Sequence, residues 1–156
     1  MNIKQQFSQP IDKTDLFQVI RQVLFMSFVG GLLIGALQLL LGLRFELDFT
    51  WLMLFILAFV TARRIKSSVY NPHIVFRLLS ILAFILSFYI MSVTSYIGVI
   101  YLFSDGIELA WIFQALNPIQ FFYFLYPFGY GFFKVNNIVN VTFFLIGVIY
   151  TFIYSK

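Results

Sequence analysis

Acid–base and nucleophilic catalysis both need a positioned acid, base or activated nucleophile. The six carboxylates of this chain fall into three close pairs: Asp12 with Asp15, Glu46 with Asp48, and Asp105 with Glu108. Each pair lies in the leader or in a short gap between apolar runs, so each reads as a solvated turn or a helix start. His73 is the one histidine. A metal would need further His, Cys or carboxylate ligands beside it, and the neighbouring sequence offers none. There is no cysteine, which excludes disulfides and thiol chemistry and argues against zinc. The expectation is therefore no catalytic, metal-ligating or cofactor-binding residue and no enzymatic activity. The enzymatic alternative is chemistry at the lipid headgroup level through Asp105, Glu108 or His73.

Small residues form the sharpest pattern. Ser27, Gly31 and Gly35 stand four apart, and Gln38 and Gly42 continue the same helical face. Such spacing lets two helix backbones approach closely, with Gln38 able to hydrogen-bond across the seam. Ser80, Ala83, Ser87, Thr94 and Gly98 form a related stripe, as do Asn136, Asn140, Gly147 and Thr151. These faces pack most simply against one another within one subunit. A homo-oligomer or a membrane-protein partner is the alternative. Asn140-Val141-Thr142 matches the glycosylation sequon, but it falls in an apolar run that the modifying machinery does not reach.

These residues belong to a chain of 156 residues that is 62% hydrophobic and 10% charged. A soluble domain of that length has too little interior to hide so much apolar surface. Five apolar runs are free of Asp, Glu, Lys, Arg and His: 22–43, 49–62, 78–104, 109–133 and 135–155. A helix needs roughly 20 apolar residues to cross a bilayer. All but the second run reach that length; flanking Phe45, Leu47, Arg63 and Arg64 can extend the second by snorkelling. The run at 78–104 exceeds the requirement, so it must tilt, kink near Gly98 or project.

The run at 109–133 differs from the others. Pro118, Pro127, Gly129 and Gly131 interrupt it, and Gln114, Asn117 and Gln120 make it partly polar. Asn117-Pro118 reads as a helix start and Pro127 as its end. Dense Phe and Tyr suit the headgroup level. The predicted fold class is all-α integral membrane: four transmembrane helices plus one broken, aromatic-rich interfacial or re-entrant segment, with five spans as the alternative. The single multipass domain comprises a leader over 1–21, spans near 22–43, 47–64, 76–103 and 137–155, and a broken segment at 109–133. Asp12 or Thr14 can cap a helix that starts near Asp15, along the membrane surface. The first span is too long for a cleaved signal and lacks an Ala-x-Ala site, so it reads as a retained anchor.

Orientation follows from Lys and Arg in the short loops. Lys4, Lys13 and Arg21 precede the first span, Arg44 alone follows it, and Arg63, Arg64, Lys66 and Arg77 follow the second. This distribution puts the N-terminus in the cytoplasm. Whether 109–133 crosses decides the side of Lys156, and the charge count is the same either way. Arg63, Arg64, Lys66 and Arg77 are candidates for headgroup contact, beside their topogenic role. The net charge of +4 therefore points to lipid and away from nucleic acid.

The chain is expected to be a small multipass protein of a bacterial cytoplasmic membrane; abundant Phe, Ile, Tyr and Asn suit an AT-rich gene. Its expected role is non-catalytic, as an accessory, assembly or immunity-type subunit that packs against a membrane partner. The rival is a small transporter or channel subunit with a path lined by Gln38, Ser87, Thr94, Gln114, Asn117, Gln120 and Asn140.

Overall fold

A computed structural model describes residues 12–46, 48–69, 73–104, 108–129 and 132–155. The positions of Lys4, Leu47, Asn71-Pro72, Asp105, Gly131 and Lys156, which figure in the sequence expectations, lie outside those residues. The described residues are helical, without strands. Three helices are long and apolar enough to cross a membrane: α1 (Lys13–Phe45), α3 (Ile74–Phe103) and α6 (Val135–Tyr154). A fourth long helix, α2 (Thr50–Lys66), has 17 residues and so extends about 25 Å.

Side-chain caps set several boundaries. Asp12 accepts a hydrogen bond from the Thr14 backbone N–H at 2.8 Å, so α1 begins at Lys13 and continues without a break into the first apolar run. The negative charges of Asp12 and Asp15 suit the positive end of the helix dipole. At its other end Glu46 adopts the left-handed conformation, with φ 55°, and its N–H returns to the Gly42 carbonyl at 2.9 Å. Asp48 accepts from the Thr50 N–H at 2.8 Å and starts α2. His73 accepts at Nδ1 from the Val75 N–H at 3.1 Å and starts α3. The longest of the sequence runs forms one uninterrupted helix as far as Phe103, and Gly98 receives the Leu39 side chain of α1.

Contacts along the helices give their directions. On α1, Met26, Gly31, Gly35 and Leu39 meet Ser87, Ile90, Met91, Thr94 and Gly98 of α3 in ascending order, so α1 and α3 run parallel. Gly147 and Phe144 of α6 meet Phe84 and Phe88 of α3, and Phe152 meets Arg77, so α6 runs antiparallel to α3. Trp51 pairs with Phe143, and Phe55 and Phe59 with Tyr150, so α2 and α6 run parallel. The bundle is therefore up-down-up-down. Lys13, Lys66, Ile74 and Tyr154 share a lower end; Phe45, Thr50, Phe103 and Val135 share an upper end.

Between α3 and α6 the chain leaves from the upper end and returns to it. It forms α4 (Leu109–Ala115), α5 (Pro118–Phe122) and a 3-10 turn, Tyr123–Leu125. Asn117 caps α5 by accepting from the Ile119 N–H at 3.1 Å, and Pro118, lacking an N–H, fits the first helical position. The Leu116 carbonyl at the break accepts from the Tyr89 hydroxyl at 2.8 Å, near the middle of α3. Phe122 and Phe124 then stack edge-on against Phe88. Asn137 Nδ2 donates to the Phe124 and Phe132 carbonyls, both at 3.1 Å, and ties the returning segment to α6.

The seam between α1 and α3 is the tightest part. A Cβ at Gly35 would stand 2.6 Å from the Met91 carbonyl oxygen, and one at Gly31 would stand 2.8 Å from that of Ser87. Ser87 Oγ donates across the seam to the Met26 carbonyl at 2.8 Å. Here α1 contains a π-helical turn, Met26–Gly30. In a regular helix residues four apart turn about 40° past a full circle, so a four-spaced stripe winds off its face. The wider π turn absorbs part of that drift and keeps Ser27, Gly31 and Gly35 near one line. Gly42 has nothing within 4 Å of an added Cβ and takes no part in the seam.

We expect Gly35→Ala to destabilise the bundle by about 1–3 kcal/mol, since the clash is with backbone. Gly42→Ala should be neutral or stabilising by up to about 1 kcal/mol through helix propensity. Thermal unfolding of both variants in one mild detergent checks the contrast.

Candidate functional site

The bundle interior divides into layers. Its middle is an apolar plug of Met53, Leu54, Leu57, Phe84, Phe88, Met91 and Phe144. The rings of Phe84, Phe88 and Phe144 lie with centroids 5.5 Å apart, within the range of favourable aromatic pairs. Nearer the lower end is a second apolar cluster, Val19, Val23, Ile65, Phe76 and Ala83. Helical spacing sets Thr61 on the buried face of α2 between these clusters, and Ser80 on α3 within the lower one, between Phe76 and Ala83. Both are fully buried, and neither hydroxyl has a hydrogen-bond partner.

Above the plug, polar side chains of five elements converge on a cavity of about 370 Å³. Gln38 comes from α1, Thr50 from α2, Ser92, Ser95 and Tyr96 from α3, Gln120 from α5 and Asn140 from α6. Each is there for a local reason. Gln38 follows Gly35 by three residues and so stays near the α3 side of α1. Thr50 opens α2 because Asp48 caps it, and its hydroxyl accepts from Gln38 Nε2 at 2.7 Å. Gln120 is carried in by the Asn117-Pro118 helix start. Phe88, Phe121 and Phe124 supply aromatic wall.

Smaller cavities adjoin it through common residues. One of about 260 Å³ shares Gln38, Ser95 and Val99 and reaches Asp48. One of about 350 Å³ shares Asn140 and includes Asp48 and Asn136. Another, of about 270 Å³, shares Phe124 and Asn140 and lies against Lys134 and Asn137. The side chains lining the main cavity are all uncharged, while charge stands in the neighbouring spaces. Two buried polar atoms of the main cavity's lining have no partner: Gln38 Oε1 and Gln120 Nε2. An amide left so is unfavourable by about 1–3 kcal/mol.

Of the residues expected to line a transport path, Gln38, Gln120 and Asn140 meet here. The other four lie elsewhere. Ser87 is buried in the seam, bonded to Met26 and Ala83. Thr94 donates to its own helix at the Ile90 carbonyl, 2.7 Å away. Gln114 is exposed, and Asn117 is occupied as a cap. The plug closes the route below the cavity. Thr50, Ser92, Ser95 and Tyr96 were not singled out from sequence; a polar count along each run marks them, but only the helix rotations show that they converge.

The expected packing residues divide. Ser27 is buried and bonded to the Val23 carbonyl at 2.7 Å, Gly31 and Gly35 contact α3 within the same chain, Gln38 joins the cavity, and Gly42 faces open space. Among the expected headgroup contacts, Arg63, Arg64 and Lys66 are exposed at the lower end, with the Arg64 guanidinium 5.0 Å from the Phe25 ring centre. Arg77 departs from them: it is buried, and its guanidinium lies 5.5 Å from the ring centre of Phe152. One turn inside α3, it faces α6 rather than the lipid surface.

The carboxylates Asp12 and Asp48 and the His73 imidazole act as helix caps. Among the described residues no group of three His, Cys, Asp or Glu side chains is placed to hold a metal ion. No protein-family model matches the chain, and no curated protein or solved structure matches it.

Since the chain has no native cysteine, single cysteines can report access. Ser95→Cys should react with a small water-soluble maleimide in the folded protein. Ser80→Cys, below the plug and fully buried, should react at least about tenfold more slowly, because reaction there requires local opening.

Proposed function

We propose that this chain is a non-catalytic, multi-pass protein of a bacterial cytoplasmic membrane. It crosses four times, through α1, α2, α3 and α6, and α4 and α5 form a re-entrant segment that enters and leaves on the same side. Both ends of the bundle chain then lie in the cytoplasm. Support for this orientation comes from charge: Lys13, Arg63, Arg64, Lys66 and Arg77 lie at the lower end, and Arg44 and Lys134 at the upper. Cytoplasmic loops carry the excess of Lys and Arg. The carbonyl freed at the Leu116 break is bonded to the Tyr89 hydroxyl, which meets the bilayer's demand that backbone groups be satisfied within the protein.

Its role in this reading is that of an accessory, assembly or immunity-type subunit that packs against a larger membrane partner. One observation carries it: the centre of the bundle is sealed by the Phe84, Phe88 and Phe144 plug while the exposed ionisable groups sit at the ends. What remains available is the outer apolar surface of the helices. The small-residue seam is occupied within the chain, so the partner would meet another face. On α1 that face carries exposed Phe25, Phe28, Leu32, Leu33 and Leu40.

A second reading, a small transporter or channel subunit, has its own support in the convergence of Gln38, Gln120 and Asn140. It requires the plug to open. Purification in gentle detergent should bring a membrane partner with the chain, and proteoliposomes of the chain alone should show no solute flux across a broad panel. Flux from the chain alone, without a partner, would favour the transporter. A single cysteine at Lys156 should label only from the cytoplasmic side; labelling from outside would mean that 109–133 crosses.

A further inference from the structure

We propose that Arg21, Phe25 and Arg64 form a binding site for one anionic phospholipid at the lower end of the bundle, where α1 meets α2. This goes beyond the accessory role and does not depend on it. Among the described residues the lower end carries Lys13, Arg21, Arg63, Arg64, Lys66 and Arg77 against two carboxylates, Asp12 and Asp15. Asp12 is engaged as the cap of α1, and Asp15 and Arg77 are buried. The charge presented at the surface there is therefore mostly positive. Basic surfaces beside transmembrane helices attract anionic headgroups.

Two of these cations converge from different helices. The Arg64 guanidinium of α2 lies 5.0 Å from the centre of the Phe25 ring on α1. Arg21 precedes Phe25 by four residues, so it stands on the same face of α1, one turn lower. Arg21, Phe25 and Arg64 are all exposed. A ring contact engages the face of a guanidinium and leaves its N–H edge free to donate. Arg63 and Lys66 share this end but not this direction: they stand about 100° and about 160° around α2 from Arg64. Arg21 closes the leader in sequence, and only the fold sets it beside Arg64.

The ligand class follows from the charge and from the surface above it. A phosphodiester offers acceptor oxygens to donors that arrive from two sides, and guanidinium suits that geometry. One turn higher, Val29 on α1 and Val60 on α2 are exposed, and Phe28 and Leu32 extend the apolar surface of α1. An acyl chain fits along it. A zwitterionic phospholipid carries its own cation beside the phosphate, which the two arginines repel. A water-soluble phosphate has no chain to lay on the apolar surface.

The unsubstituted protein in dodecyl maltoside is mixed with equal amounts of dioleoylphosphatidylglycerol and dioleoylphosphatidylcholine and read by native mass spectrometry. One phosphatidylglycerol per chain should be retained, preferred over phosphatidylcholine by about tenfold or more. Neither glycerophosphate nor oleate at the same concentration should displace it. Arg21→Gln and Arg64→Gln should each weaken retention about tenfold, as expected for charge-assisted hydrogen bonds. Arg63→Gln and Lys66→Gln, which remove equal charge from the same end, should weaken it less than about threefold. Equal retention of the two phospholipids would overturn the proposal. So would equal weakening by all four substitutions, which would leave only a diffuse basic surface. Displacement by glycerophosphate would make the ligand a free phosphate, and displacement by oleate a fatty acid; either result overturns it. The comparison of the two phospholipids needs no variant to fold, and a measurement in detergent does not depend on which side the lower end faces. Partner co-purification is measured separately, so failure here leaves the accessory role standing, and the reverse.

Discussion

The close approach of α1 and α3 is the contact around which the other helices are arranged. In lipid there is no hydrophobic gain from bringing two apolar helices together, because the tails are as apolar as the side chains. Association must come from packing and from hydrogen bonds, and both improve as the backbones draw closer. Gly31 and Gly35 permit that approach against the Ser87 and Met91 carbonyls, and the Ser87 hydroxyl uses it to reach Met26. With α1 and α3 locked in parallel, α6 descends beside α3, and α2 packs chiefly against α6. The second side of α3 receives Phe144 and Gly147, so α3 is the axis of the bundle.

That arrangement sorts the polar groups by height. Most charged residues collect at the two ends, the amides of Gln38, Gln120 and Asn140 lie below the upper end, and the Phe84, Phe88 and Phe144 rings lie at the centre, while the buried hydroxyls of Thr61 and Ser80 stand below those rings. Arg77 is a charged side chain drawn in from the surface, yet it stays within the first turn of α3 and rests on the Phe152 ring. The broken segment from Leu109 to Leu125 follows the same logic. A chain that bends in a bilayer must find partners for the backbone groups it frees. Tyr89 and Asn137 supply them at Leu116, Phe124 and Phe132.

Much of this was legible in the amino-acid order, because lipid simplifies the rules. Long uncharged runs give helices, and Asn117-Pro118 and Pro127 bracket α5 and its 3-10 turn closely. The stripe of Ser27, Gly31, Gly35, Gln38 and Gly42 was legible as a spacing; in the structure Gly31 and Gly35 face α3, and a Cβ at Gly42 meets nothing within 4 Å. Spacing of four overshoots a helical turn, and nothing in sequence reveals the π turn that corrects it for one stretch only. Gln38 was assigned to the seam because it shares the stripe; it instead turns toward Thr50, a residue whose place depends on how α2 folds back. The cavity was out of reach for the same reason. Its polar side chains are scattered between positions 38 and 140, and their meeting depends on five helix rotations that no local pattern encodes. Arg77 resembled its basic neighbours in sequence and differs only because α6 covers it.

The central claim is that the small-residue seam joins α1 to α3 inside one chain. The direct measurement is oxidation of the paired variant Leu39→Cys and Gly98→Cys, whose side-chain positions adjoin in the structure, in native membranes. The account predicts a disulfide formed within the monomer, giving a reducible shift in mobility without a covalent dimer. Covalent dimers, or no cross-link in either form, would contradict it.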